Sequence, residues 1–159
     1  VLESRPNVLT DPEQAIPFDW VLIATKTYQM ESVAKWIPAL SHSDTMFAVI
    51  QNGVEHLANL KSIVPEDRIV PVIIDCPAER YAPGRILQRA PIKMTVPIGT
   101  PSERFASLFP DENITILLTN DWTTEAWKKL CINSGGAILA DNDIDRARRV
   151  PLIDQLLCH

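Results

Sequence analysis

Asp19-Trp20-Val21-Leu22-Ile23-Ala24-Thr25 is a continuous run of mostly apolar, strand-forming residues, too short for a typical helix, and Lys26 follows it at once. Unbroken apolar character over that length suits a parallel strand buried on both faces, so a central strand is expected here. Further along, Met30, Val33, Ala34, Ile37 and Leu40 recur at three- and four-residue steps, which predicts an amphipathic helix over 28–40 with Pro38 near its end. Thr45 to Ile50 is strand-like again, Gln51-Asn52-Gly53 reads as a turn, and Val54, Leu57, Leu60 and Val64 mark a short second helix. Strand, helix, strand, helix is the rhythm of a βαβ unit, and the fold class is therefore α/β.

Arg68 to Asp75 (RIVPVIID) predicts a further strand. Pro77, Pro83 and Gly84 then break the pattern, and shorter strands are expected over 85–88 and 92–98, with the sheet turning antiparallel at its edge. A helix over 102–108 and a last strand over 114–118 follow. Asn120 and Asp121 offer capping side chains for a long helix over 123–140, and residues 150–158 read as another helix. The change from strands to helices places a domain boundary near Asn120, dividing the chain into 1–120 and 121–159. The opening Val1 and the apolar run ending at His159 without a stop signal suggest that the chain is a fragment.

The 159 residues are 46% hydrophobic and 22% charged, a balance that supports a folded core. The net charge of -5 gives no electrostatic reason to bind nucleic acid or an anionic membrane, and a small metabolite is the better partner. No apolar run reaches the roughly 18 residues that span a bilayer. Cys76, Cys131 and Cys158 are odd in number and lack CxxC spacing, so neither a disulfide framework nor a zinc site is expected, and a reducing cytoplasm is the default location. Asp141, Asp143 and Asp145 alternate like the start of a calcium loop, but Arg146 stands where that loop needs Gly, and no metal is expected. His42, His56 and His159 share no metal spacing and read as surface residues.

Three segments carry chemistry. In Ala24-Thr25-Lys26-Thr27-Tyr28-Gln29 a lysine stands directly after a buried strand, where doubly wound sheets form their ligand crevice. In Ile50-Gln51-Asn52-Gly53 an asparagine offers donor and acceptor together, suited to a ribose or a carboxamide, beside a glycine that permits a tight turn. In Glu125-Ala126-Trp127-Lys128-Lys129-Leu130-Cys131-Ile132-Asn133, Lys129 and Asn133 are four apart and share one helix face, with Trp127, Leu130, Cys131 and Ile138 free to pack inward. Taken singly, each pattern is more often a solvated loop, a turn or a solvated helix face.

Their order and spacing resemble the signature of the ketopantoate reductase family: an apolar strand ending in Lys-x-x-Gln, then Gln-Asn-Gly, then Trp-x-Lys-Leu-x-x-Asn. Pro17-Phe18-Asp19 and Gly84-Arg85-Ile86 also fit. The resemblance implies a partial Rossmann-like NADP-binding domain over 1–120, followed by the start of an all-helical substrate domain over 121–159. It implies reduction of a 2-oxo acid, 2-dehydropantoate, by NADPH, within the route to pantothenate and coenzyme A. Lys26 and Asn52 would lie beside the nicotinamide end of the cofactor, with Gln29 a further cofactor contact. Lys129 would be the general acid, and Asn133 and Asn52 would hold the substrate. A homo-oligomer is compatible with the family.

Two features depart from the family pattern. Ala137 stands where the family carries another asparagine, beside Gly135 and Gly136, which leaves open a different 2-oxo acid as substrate. None of the five glycines lies in a GxGxxG, so the chain by itself is expected to be inactive. A binding module that keeps the scaffold without catalysis is the alternative of a different class.

Overall fold

The computed structural model describes residues 3–141, and the helix expected over 150–158 lies outside them. Five strands form one sheet in the order β1-β2-β3-β6-β7: β1 is Trp20–Ile23, β2 Met46–Ile50, β3 Ile69–Asp75, β6 Ile92–Pro97 and β7 Ile114–Thr119. β1, β2 and β3 run parallel, β6 is antiparallel to β3, and β7 is parallel to β6. Two parallel neighbours demand crossovers, and helices supply them. α1 (Met30–Leu40) joins β1 to β2, while α2 (His56–Leu60) lies between β2 and β3.

β2 owes its place to alternation with apolar residues on both sides. Phe47 and Val49 face one way and pack with Ile23, Ile37, Leu60 and Val64. Met46 and Ala48 face the other way and pack with Val70, Val96 and Phe105 of α3 (Thr100–Ala106). Phe105 is fully buried, with its ring centroid 5.7 Å from Trp20 and 5.1 Å from Phe109. α1 carries Pro38 in its last turn, where it removes the N–H that would bond the Ala34 carbonyl and helps to end the helix, and the Ser41 hydroxyl donates to the Ile37 carbonyl at 2.7 Å.

Several expectations need correction. β1 is the edge strand of the sheet among the described residues, and its Leu22 is 47% exposed. The strand buried on both faces is β2, which has paired strands on either side and an apolar cluster over each face, and the first half of β3 shares that burial. The antiparallel junction lies inside the sheet between β3 and β6, and not at its edge, since β7 returns parallel beyond it. Arg85–Gln88 (β5) does not join this sheet: it pairs with β4 (Ala78–Ala82) as a separate hairpin that the proline-rich sequence concealed. Gly84 turns that hairpin at φ 69°, a conformation that glycine adopts without strain.

The last described element is α4 (Trp122–Asp141). As expected, Asp121 caps it, accepting from the Thr124 N–H at 3.1 Å, and these hydrogen bonds hold the Asp121 carboxyl below its ordinary range. Ala126 is the residue of the first turns that packs inward. Trp127 is 52% exposed and does not, contrary to expectation, because Ala126 occupies the face turned to the sheet. No helix among the described residues is long and apolar enough to cross a membrane.

Candidate functional site at the strand ends

The carboxyl ends of β1 and β2 are in register. Ile23 pairs with Val49, and Lys26 and Asn52 each stand three residues further along, so the two side chains emerge from neighbouring strand ends. The ends are tied together by buried Gln51, whose amide donates to the Thr25 hydroxyl at 3.2 Å. Beyond it Gly53 adopts φ 120°, a value that strains any other residue, and leaves Asn52 exposed at the crest of the turn.

Lys26 opens a 3-10 turn over Thr27–Gln29. Its backbone N–H donates to the Gln29 side-chain oxygen at 2.9 Å, so that amide already holds the local chain in shape. Both side chains are exposed.

α4 leans over the same edge. Its Lys129 and Asn133, one turn apart, line a cleft of about 600 Å³ together with Asn52, Gly53, Asp75 and Cys76, over an apolar floor of Ile74, Pro77 and Leu130. The Asn133 amide reaches the Asn52 oxygen at 3.4 Å, a long contact that closes the gap between turn and helix. The Lys129 ammonium donates to Asp75 Oδ1 at 2.6 Å. Lys128, next in sequence, points elsewhere and pairs with Glu125 at 2.9 Å. Asn52, Lys129 and Asn133 therefore converge on one cleft, while Lys26 and Gln29 lie outside its lining.

Asp75 was not singled out by sequence reasoning. Its signal was present in its position as the last residue of a buried strand, the same signal that marked Lys26. His56 was missed more completely. It is 3% exposed, at the start of α2, and lines a second hollow of about 320 Å³ that shares Asn52 and Gly53 with the main cleft. Its Nε2–H donates to the Gln51 carbonyl, its ring meets Trp122 edge-on at 5.3 Å, and Nδ1 has no partner. Burial pushes its pKa down, partly offset by the Gln51 carbonyl. Nothing in the spacing of the three histidines could have shown this, because burial at position 56 depends on how α4 docks. His42 is exposed and pairs with Asp19 at 3.2 Å, an ordinary surface contact.

A mostly parallel sheet with crossover helices, in which the ends of the parallel strands β1, β2 and β3 face a helix bearing an amine and an amide, is a Rossmann-like α/β architecture. The sequence profile of the ketopantoate reductase PanE/ApbA family matches residues 2–101, and the chain belongs to that family of oxidoreductases. The 2-dehydropantoate 2-reductase of Caulobacter vibrioides is 44% identical over 139 residues, which make up 87% of this chain and 48% of that protein. A crystal structure of 2-dehydropantoate 2-reductase from Geobacter metallireducens superposes with a TM-score of 0.69 at 25% identity, covering 78% of this chain and 43% of that one. A D-mandelate dehydrogenase in complex with NADH shares the fold, with a TM-score of 0.71 at 18% identity over 81% of this chain and 44% of that one. The chain spans about half the length of the curated relatives it matches.

Proposed function

We propose that the protein reduces 2-dehydropantoate to pantoate with NADPH in the cytoplasm, that residues 1–120 carry the cofactor side and that residues 121–159 begin the substrate side. The observation that carries this reading is the convergence of Lys129, Asn133 and Asn52 on one cleft at the sheet's carboxyl edge. The relatives named as 2-dehydropantoate 2-reductases support it.

The residues present suit the nicotinamide end of a dinucleotide. Asn52 stands exposed on a turn where a Cβ at Gly53 would meet nothing within 4 Å, leaving open space beside an amide that both donates and accepts. Lys26 on the adjoining strand end adds a cation for an anionic or polar cofactor group, and Gln29 supports it by holding the turn. The dinucleotide, when bound, supplies a hydride. The sequence contains no GxGxxG turn, so the chain by itself is expected to bind NADPH weakly.

The chain's own residues do the rest. Hydride delivery to the keto carbon of a 2-oxo acid leaves negative charge on the former carbonyl oxygen, which requires a nearby cation and a proton. Lys129 supplies both from Nζ, which has three donors of which Asp75 takes one. Asn133, on the same face, and Asn52, across the cleft, hold the substrate so that its keto oxygen meets that ammonium. A homo-oligomer fits this reading, since one structural neighbour is described as a dimeric ketopantoate reductase. A second reading, reduction of a different 2-oxo acid, is favoured by Ala137 in place of the family's asparagine. The test is turnover by the full-length protein with NADPH or NADH against a panel of 2-oxo acids. Highest kcat/KM for ketopantoate with NADPH supports the first reading, and a preference for another acid supports the second.

A further inference from the structure

We infer that Asp75 is the positioning residue of this site, holding the Lys129 ammonium at the cleft, an inference that rests on the proposed role of Lys129 as proton donor. Asp75 ends β3, where its backbone is registered against Lys93 of β6, so its carboxylate projects from a fixed point of the sheet. Lys129 reaches it from α4, with 54 residues of sequence between them, at a donor to acceptor distance of 2.6 Å. Both line the same cleft, and the lysine side chain is only 23% exposed whereas Asp75 is 58% exposed. A lysine stem has four rotatable carbons and no preferred direction of its own. A short charge-assisted hydrogen bond to a strand-borne carboxylate fixes that direction, and it leaves the two remaining N–H groups free to turn toward a keto oxygen.

Lys128 shows what the absence of such an anchor means: its ammonium is drawn by Glu125 along the helix surface and out of the cleft. Asp75 itself touches no reacting atom in this arrangement. Its negative charge also faces the cleft into which an anionic 2-oxo acid must enter, so it works against substrate binding and is kept for orientation. That opposition separates positioning from binding in kinetics. Loss of Asp75 should lower kcat while leaving KM for the acid unchanged or reduced, a split that general loosening of the fold would not produce.

The experiment compares Asp75→Ala and Asp75→Asn in the full-length protein. Asp75→Ala is expected to lower kcat by about tenfold without raising KM, the scale on which misplacing a catalytic group acts. Asp75→Asn, which keeps an acceptor oxygen in place, is expected to recover most of that loss. Competitive acetylation of lysines with acetic anhydride, resolved by tandem mass spectrometry, reads the anchor without turnover: Lys129 should be labelled severalfold faster in Asp75→Ala than in the wild type. An unchanged kcat in Asp75→Ala, or an unchanged Lys129 labelling rate, overturns the inference. A wild-type protein that reduces no 2-oxo acid overturns the functional reading instead, and the labelling ratio then decides the anchoring alone.

Discussion

Replacing Lys129 by alanine removes the single cationic side chain among the nine residues that line the main cleft. No other lining residue can stand in for it, and Lys93, registered against Asp75, lies in the neighbouring hollow and not in the main cleft. Lys128 is engaged with Glu125, and Lys26 lies outside the lining. Loss of a positioned general acid lowers rates by about a hundredfold to ten-thousandfold. Lys129 is partly accessible, so water can reach the vacated place and donate a proton poorly, which puts the expected loss in kcat near the lower end, about a hundredfold or some 3 kcal/mol of barrier. The variant also leaves Asp75 without its partner in the path of an anionic substrate, so KM for the 2-oxo acid should rise by a few-fold as well. NADPH affinity should barely change. Steady-state NADPH oxidation by the full-length protein, paired with fluorescence titration of NADPH, separates these effects. A kcat within about threefold of wild type would show that the proton comes from elsewhere and would refute the assignment.

Lys26→Ala should act in the opposite way, weakening NADPH binding in the same titration with a smaller effect on kcat, because a cation at the nicotinamide end acts in the ground state too. Phe105→Ala should cost about 3–5 kcal/mol in denaturant unfolding, since that ring is fully buried between Trp20 and Phe109. His56 makes stability depend on pH: burial lowers its folded pKa, so the unfolded chain binds the extra proton, and stability should fall as pH drops below about 6.5 toward that lowered value. Thermal melts of wild type and His56→Gln from neutral to mildly acidic pH should show a steeper decline for the wild type. Asp121→Asn should destabilise α4 at neutral pH, and the difference should vanish as pH falls through the lowered Asp121 pKa, measured by helical circular dichroism.

The βαβ opening is legible in the sequence because its strands and helix carry different periods, a short apolar block for β2 and three- and four-residue steps for α1. Neighbour relations are less legible. The apolar run at β1 has the composition of a central strand, but burial depends on what pairs and packs beside it, and Leu22 stays exposed. β4 is invisible for a similar reason: Glu79, Arg80 and Tyr81 form a strand only because β5 folds back on them, in a sequence flanked by prolines. Asn52, Lys129 and Asn133 are legible through position, as an asparagine at a strand end and a polar pair one helical turn apart, whereas Lys26, marked by the same strand-end position, lies outside the cleft. Asp75 and His56 are not legible, because their significance comes from contacts between elements far apart in the chain, Asp75 with Lys129 and His56 with Trp122.

The central claim is that this site passes hydride to the keto carbon of ketopantoate while Lys129 donates the proton. The most direct measurement incubates the full-length protein with ketopantoate and NADPH carrying deuterium at the transferring nicotinamide position, and locates the label in the product by mass spectrometry. The account predicts pantoate with one deuterium at C2, formed by the wild type and strongly reduced in Lys129→Ala. Absence of pantoate, or pantoate without deuterium at C2, would contradict it.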